Sequence, residues 1–202
     1  MNMTEIISAV QAALNVTVDG KAGPETWEAI YGRIVPARTA AANPALVVQP
    51  VDPRSEQVIV TLHQRVQPYA RALVGKAAAA GIVIRIVSGL RTYAEQDELY
   101  AQGRTAPGAK VTNAKGGFSN HNFGVAFDVG VFEGNRYLGE SPKYKAVGPL
   151  GIDLGLEWGG NWKTIVDQPH YQLRPAWAAD LGEPAMLAEL RRRKDAGQDY
   201  YA

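Results

Sequence analysis

The chain of 202 residues is long enough for one domain with a substantial core and a small additional module. Its 21 basic and 20 acidic residues give a formal net charge of +1, so no overall field favours nucleic acid or an anionic membrane. The absence of cysteine excludes disulfides, thiolate metal ligands and a thiol nucleophile. We therefore expect two unequal domains and no nucleic-acid partner.

The first residues carry no recognisable targeting signal. Residues 1–5 lack the basic segment and the long apolar segment of a secretory leader. No apolar run in the chain is long enough to span a bilayer. We expect synthesis in a cytoplasm without a signal peptide, and no stable membrane insertion.

Two short helices are predicted at the start of the chain. Apolar residues recur at helical spacing from Thr4 to Leu14, with Thr4 as the cap, and Pro24 stands near the first position of a second helix. The Asp-Gly-x-x-Gly-Pro-x-Thr pattern of residues 19–26 resembles the small helical peptidoglycan-binding domain often attached to cell-wall hydrolases. The alternative is a helical hairpin that only packs on the larger domain.

A compositional change separates this module from the rest of the chain. Residues 35–53 are rich in proline and alanine, which is typical of extended, semi-rigid chain. We therefore predict a helical domain at residues 1–34, a linker at 35–53 and a catalytic domain at 54–202.

The catalytic domain is predicted to begin with helical chain. An apolar stripe from Val58 to Leu73 has helical spacing, and Pro68 should kink or divide the helix because its ring removes a hydrogen bond. His63 lies in this stretch, and nothing around it suggests a site. We interpret it as a structural or surface histidine.

A strand and a helix are predicted next. The β-branched run Ile82–Val87 is typical of a buried strand. Thr92 and Glu95 form a capping-box pattern, which predicts a helix from Tyr93 to Gln102. Arg91 would then be fixed between the strand and the helix.

The segment around His121 and Asp128 has a clear periodicity. Bulky apolar residues alternate with small residues and Asp128 over residues 123–131, which predicts a strand with Asp128 on a face otherwise kept small. His121 has the opposite parity, so a regular strand would send the two side chains to opposite sides of the sheet. The chain must therefore bend before about Gly124.

The remaining segments complete the predicted fold. A helix should start at residues 141–142, residues 155–162 read as a turn-rich loop, residues 170–173 as a short strand, and residues 184–196 as a helix with a solvated basic end. We predict an α+β fold in which a small antiparallel sheet with flanking helices holds a metal site. A small all-α N-terminal domain precedes it.

The chemistry is predicted from a small set of polar residues. The chain has only three histidines, and two of them, His121 and His170, lie in polar segments near acidic residues. Two imidazoles and one carboxylate can hold a catalytic zinc and leave its fourth position open for water. Zinc lowers the pKa of water from ~15.7 to ~7, and a nearby carboxylate can then take the proton. The pattern predicts a zinc hydrolase that cleaves peptide bonds.

Two motifs resemble a known family. The Ser-x-His-x-x-Gly-x-Ala-x-Asp pattern of residues 119–128, with the distant Asp-x-Pro-His of residues 167–170, resembles the VanY-like D-Ala-D-Ala carboxypeptidase superfamily of zinc peptidases. Residues 100–105, 112–117 and 157–162 are similar to segments of the L-alanyl-D-glutamate endopeptidases found among phage endolysins.

The resemblance implies three zinc ligands, a catalytic base and two substrate-binding residues. These are His121, Asp128 and His170 as ligands, Asp167 as the base, and Arg91 and Ser119 for the substrate. A guanidinium suits an anionic D-glutamate peptide because its planar fork can hold a carboxylate. The alternative for Arg91 is a structural ion pair. Glu157 is the rival base, and its alternative role is to fix the region of Trp158 and Trp162.

The predicted function is a zinc-dependent peptidoglycan endopeptidase that hydrolyses the L-Ala–D-Glu bond of wall stem peptides. The alternatives are a D,D-carboxypeptidase that releases terminal D-Ala, and a non-catalytic zinc protein that binds the wall, in which zinc only braces the fold. The resemblance further implies a monomeric phage endolysin with antimicrobial action. Such an enzyme waits in the host cytoplasm until a membrane pore admits it to the wall.

Overall fold

The computed structural model describes residues 1–34 and 51–202. The chain divides into two compact units, Met1–Ala42 and Asn43–Ala202. Most of the predicted linker at residues 35–53 lies outside the described residues, so the domain bounds stay a prediction. Within the two described ranges, no helix combines the length and apolar character needed to cross a membrane.

The N-terminal unit contains helices α1 (Met3–Leu14) and α2 (Pro24–Ile34), close to the prediction. The predicted cap Thr4 is wrong, because Asn2 caps α1. The Asn2 side chain accepts a hydrogen bond from the Glu5 N–H at 3.0 Å, and the Glu5 carboxylate accepts one from the Asn2 N–H at 2.8 Å. Thr4 has Ile7 three residues on, which cannot close such a box.

Gln11 organises the loop between α1 and α2. Its buried amide donates to the Asp19 carboxylate at 2.7 Å and to the Thr26 hydroxyl at 2.9 Å, and its oxygen accepts from the Gly20 N–H at 2.8 Å. Gly20 has a φ of +71°, which favours glycine. The Asp-Gly-x-x-Gly-Pro-x-Thr pattern therefore has a structural cause in this loop.

The larger unit is built on a five-stranded antiparallel sheet, which confirms the predicted α+β fold. Its strand order is β1-β2-β5-β4, and β3 pairs with the last three residues of β2. The strands are β1 (Val83–Ser88), β2 (Ala126–Glu133), β3 (Arg136–Leu138), β4 (Glu157–Trp158) and β5 (His170–Gln172). The helices are α3 (Pro53–Ile59), α4 (Gln67–Ala79), α5 (Tyr93–Ala101), α6 (Lys143–Asp153) and α7 (Glu183–Asp195).

The first helical stretch is divided, but not at the proline itself. Helix α3 ends at Ile59, and Pro68 lies in the first turn of α4, where its missing N–H costs little. His63 lies in the connection between the two helices. Its backbone N–H donates to the Gly124 carbonyl at 3.0 Å, and its ring packs 4.8 Å from the Tyr201 ring. These contacts agree with the interpretation of His63 as a structural histidine.

The predicted loop at residues 155–162 contains a strand that the sequence did not reveal. Glu157 and Trp158 form β4 and pair with Gln172 and Tyr171 of β5. Two residues are too few to show a period-two pattern, so this strand can be recognised only from its pairing with β5. This pairing sets Glu157 beside Gln172, which matters for the site.

The C-terminal helix α7 supports the segment that carries His121. Its apolar face packs against Phe123 in a buried hydrophobic cluster. Arg191 donates to the Gly117 carbonyl at 2.8 Å, and Lys194 donates to the Asn122 carbonyl at 3.4 Å. The basic run was predicted to be a solvated helix end, but these two members bind backbone carbonyls of the larger unit.

Candidate metal centre

Two histidines and one aspartate bring three donor atoms together. The His121 Nε2 atom lies 3.3 Å from both His170 Nδ1 and Asp128 Oδ1, and His170 Nδ1 lies 3.2 Å from Asp128 Oδ1. A tetrahedral zinc with bonds of about 2.0–2.1 Å requires separations of about 3.3–3.4 Å between its ligand atoms. The donor atoms of this ligand cluster therefore already have the spacing that zinc needs, and the cluster could hold a metal ion.

Local backbone geometry brings His121 and Asp128 to the same side of the sheet. A single 3-10 turn at Asn120–Phe123 ends at Gly124, which has a φ of +64°, before β2 begins at Ala126. The bend predicted before Gly124 is therefore present. A side chain at Gly124 would also approach the backbone nitrogen of His63 to 2.9 Å. The register of β2 and β5 then places Asp128 opposite His170.

The charges of the cluster favour an ionised Asp128. Burial alone would raise the pKa of Asp128, but charge interactions and hydrogen bonds with His121 and His170 outweigh it and hold the pKa well below its usual value. Burial lowers the pKa of His121, which favours the neutral imidazole that a metal requires. Burial also acts to lower the pKa of His170, but its hydrogen bond to Asp128 prevails and raises it.

Each histidine has a partner for the ring nitrogen that faces away from the cluster. The His121 Nδ1–H donates to the Gly89 carbonyl at 2.8 Å. The His170 Nε2–H donates to the Gln172 side-chain oxygen at 3.0 Å. Such partners fix the tautomer and the orientation of metal-binding histidines. Neither Gly89 nor Gln172 was predicted from the sequence to be a site residue.

Asp167 lies beside the cluster and lines the same cleft. Burial raises the pKa of its carboxyl group, and the charge of Asp128 raises it further. Its backbone N–H donates to the Gly159 carbonyl at 3.0 Å. A side chain at Gly159 would lie only 2.5 Å from the Asp167 carbonyl oxygen, so the close approach of these two segments requires glycine.

The two predicted substrate-binding residues also line the cleft, but they differ in their contacts. Arg91 forms an ion pair with Asp128 at 3.2 Å and donates to the Gln96 side chain at 2.9 Å. The ion pair that was considered as the alternative role of Arg91 is therefore present. The Ser119 N–H donates to the Asn122 side chain at 3.3 Å. A substrate role for either residue stays a prediction.

Glu157, the rival base, is engaged in protein contacts. Its carboxylate pairs with Arg174 at 2.5 Å and accepts a hydrogen bond from the Gln172 amide at 2.7 Å. It is not among the residues that line the cleft, whereas Asp167 is. The geometry therefore favours Asp167 over Glu157 as a group that could reach a substrate.

The ligand cluster lies in an open cleft of about 1120 Å³. Trp162 lines this cleft, with its ring 4.9 Å from the His170 ring. Trp158 instead packs against the core, and its Nε1–H donates to the Gln168 carbonyl at 2.8 Å. If these three residues hold a zinc ion at the wall of the cleft, a position stays open for water and substrate, as in catalytic rather than structural zinc sites. The fold and the cluster define the site as that of a zinc hydrolase.

Comparison with known proteins identifies the family. Residues 112–173 match the peptidase family described as D-alanyl-D-alanine carboxypeptidase. The chain is 41% identical over 126 residues to the peptidoglycan L-alanyl-D-glutamate endopeptidase CwlK of Bacillus subtilis (strain 168). The matched region covers 56% of this chain and 74% of CwlK. The chain therefore belongs to the same family of metallopeptidases as CwlK.

Two solved structures are also similar to this chain. The Serratia marcescens L-Ala D-Glu endopeptidase ChiX has a TM-score of 0.48 and 23% identity, over 65% of this chain and 94% of ChiX. The vancomycin resistance D,D-pentapeptidase VanY, in complex with Zn(II), has a TM-score of 0.44 and 19% identity, over 69% of this chain and 81% of VanY.

Proposed function

We propose that this chain is a zinc-dependent endopeptidase that hydrolyses the L-Ala–D-Glu bond of peptidoglycan stem peptides. The 41% identity to CwlK, an enzyme of that specificity by name, supports the substrate. The observation that carries the chemistry is the spacing of 3.2–3.3 Å between the three donor atoms of the ligand cluster. That spacing matches the edges of a tetrahedral zinc site.

The proposed roles follow the positions of the side chains. His121, Asp128 and His170 would hold the zinc, and Asp167 would act as the base. Bound zinc supplies Lewis acidity, which polarises a carbonyl and allows water to ionise near neutral pH. The Asp167 carboxylate takes the proton from the attacking water and then passes it to the nitrogen of the leaving amine.

Arg91 and Ser119 would hold the substrate. Arg91 keeps guanidinium N–H groups at the cleft although it is paired with Asp128, and a carboxylate of the stem peptide is a suitable acceptor. Arg91 would therefore contact both Asp128, which is one of the proposed zinc ligands, and the substrate. A substitution there should raise KM for anionic stem peptides more than for a peptide with its D-Glu carboxyl amidated.

Mass spectrometry of digested cell walls tests the proposed cleavage site. Purified peptidoglycan is incubated with zinc-loaded protein, with chelated protein and with the His121→Ala variant. We expect fragments with a new N-terminal D-Glu only from the first sample. Release of single D-Ala would instead support a D,D-carboxypeptidase, which the name of the matched family favours. Wall binding without any new amine would support a non-catalytic role.

We also propose a lytic role for the enzyme as a monomer made in a host cytoplasm. The N-terminal pattern at residues 19–26, which resembles peptidoglycan-binding domains, supports targeting to the wall. A pull-down on purified walls with the full-length Asp167→Asn variant tests binding without digestion. Sedimentation at micromolar concentration tests the monomer.

A further inference from the structure

A network of polar side chains lies behind His170 and has no part in the roles above. Its centre is Gln172, which is 1% exposed. Gln172 contacts His170, Glu157 and Asn120, and Glu157 continues the network to Arg174. We call Gln172, Glu157 and Arg174 the Gln172 network.

The network determines which end of the Gln172 amide faces His170. The Gln172 nitrogen lies 2.7 Å from a Glu157 carboxylate oxygen. A carboxylate only accepts hydrogen bonds, so the amide must present its NH₂ group to Glu157 and its oxygen to His170. The Asn120 side-chain NH₂ donates to the same oxygen at 2.6 Å, which agrees with this orientation.

The orientation of the amide in turn determines the state of the His170 ring. An oxygen 3.0 Å from Nε2 can only accept, so Nε2 carries the proton and Nδ1 keeps a lone pair. Nδ1 is the nitrogen that lies 3.2 Å from Asp128 Oδ1 and 3.3 Å from His121 Nε2. The lone pair therefore points into the ligand cluster.

Glu157 is held in place from its other side. Arg174 donates from Nε to one carboxylate oxygen at 2.5 Å and from a terminal nitrogen to the other at 3.3 Å. Arg174 also pairs with Glu183 at 3.0 Å and donates to the Leu181 carbonyl at 3.2 Å. An arginine fixed by several acceptors leaves the Glu157 carboxylate little freedom to turn away from Gln172.

We propose that Gln172, oriented by Glu157 and Arg174, is a positioning residue that fixes His170 as an Nδ1 ligand of the metal. The inference rests on the zinc site of the proposed function and adds three residues to it. It also gives Glu157 a role other than that of a base. Partners of metal-binding histidines are worth about 10- to 100-fold in metal affinity, so the effect is large enough to measure.

Zinc affinity, measured by competition with a chelator, tests the proposal. Gln172→Met keeps the length of the side chain but removes the acceptor, and we expect its zinc Kd to rise about 10- to 100-fold. Glu157→Gln should raise the Kd by a smaller factor, because an amide at that position no longer dictates which end of Gln172 faces His170. Thermal unfolding of the zinc-free proteins is measured in parallel.

Glu56→Gln is the matched control. Glu56 also makes a two-point ion pair with an arginine, Arg71, but on helices α3 and α4 and without contact to the cluster. It should lower the unfolding temperature of the zinc-free protein to an extent similar to Glu157→Gln, and leave the zinc Kd unchanged. A purely structural role for the network predicts this same result for all three variants.

The outcomes separate this inference from the proposed function. If the wild-type protein binds zinc and cleaves stem peptides while both network variants keep its zinc Kd within twofold, the inference alone is overturned. If the wild-type protein binds no zinc, the proposed function fails and the inference fails with it. If Gln172→Met does not fold, Glu157→Gln decides, and an unchanged Kd overturns the inference.

Discussion

The two histidines of the cluster are held in different ways. On the His121 side, the ring is fixed by a backbone carbonyl, that of Gly89, at 2.8 Å. On the His170 side, the ring is fixed by the Gln172 side chain, which depends in turn on Glu157. A carbonyl of the main chain cannot be removed by substitution, whereas a side-chain acceptor can. We therefore expect the His121 side to be sensitive to backbone shifts and the His170 side to be sensitive to side-chain replacement.

Removal of either histidine should have the largest effect and should not distinguish the two sides. His121→Ala and His170→Ala each leave two ligands, so we expect loss of stoichiometric zinc and of wall hydrolysis. Metal analysis after dialysis, together with turnover of purified walls, measures both. Chelation of the wild-type protein should give the same loss, reversed by added zinc. A variant that kept both zinc and turnover would show that the substituted histidine is not a zinc ligand.

Asp167→Asn should separate the chemistry from metal binding. The amide cannot accept the proton, so we expect kcat to fall about 10²- to 10⁴-fold while zinc content is unchanged. Glu157→Gln, assayed at saturating zinc, is the control, because Glu157 lies outside the cleft. Full activity of Asp167→Asn together with loss of activity in Glu157→Gln would show that Glu157, and not Asp167, is the base.

Alanine at Gly89 and at Gly159 compares the backbone of the two sides. A side chain at Gly159 would lie 2.5 Å from the Asp167 carbonyl oxygen, whereas at Gly89 the closest atoms are the side chains of Thr61 at 2.7 Å and Val58 at 2.9 Å. Side chains can move more readily than backbone. We expect both variants to lose about 1–3 kcal/mol of unfolding free energy, with the larger loss for Gly159→Ala.

Urea unfolding and kcat at saturating zinc measure this difference. Gly159→Ala should also lower kcat more than Gly89→Ala does, because its clash displaces the segment that carries the proposed base. Equal kcat values for the two variants would show that the Asp167 segment tolerates the shift.

The smallest expected effect lies at the helix cap behind the His121 side. Asp52 caps α3, and its carboxylate accepts a hydrogen bond from the Ser55 hydroxyl, which itself accepts one from the Ile86 N–H of β1 at 2.9 Å. Strand β1 leads to Gly89. Asp52→Ala should cost about 0.5–2 kcal/mol of unfolding free energy and leave the zinc Kd unchanged.

The Asp52 contribution should also depend on pH. Burial alone would raise the pKa of Asp52, but hydrogen bonds from Ser55 outweigh it and lower the pKa below its usual value of 3.8. A lowered pKa stabilises the fold at pH values above 3.8, and this stabilisation is lost as the pH falls through the lowered value. Urea unfolding of wild type and Asp52→Ala should therefore converge in acid. A constant difference down to pH 2 would contradict the assignment.

The sequence predicted the parts of the site that depend on local pattern. His121 and Asp128 lie seven residues apart, and their parity alone required the bend found before Gly124. The α+β fold, strand β1 and the capping box of α5 also follow from patterns within about ten residues. Local periodicity and capping chemistry were sufficient for these elements.

The parts that were missed depend on pairing between distant segments. Glu157 and Gln172 are fifteen residues apart and meet only because β4 pairs with β5. Strand β4 has two residues, which carry no periodic signal. Gln172 has the same parity as His170, which could have placed it on the same face of a strand. Its contact with Glu157 could not be predicted without the pairing register of β4 and β5.

X-ray absorption at the zinc edge of the loaded protein tests the central claim most directly, because it counts the ligands. We expect four light ligands at about 2.0–2.1 Å, with the scattering pattern of two imidazoles. His121→Ala and His170→Ala should each lose one imidazole from that pattern. A spectrum with six oxygen ligands, or with fewer than two imidazoles in the wild-type protein, would show that His121, Asp128 and His170 do not form the zinc site.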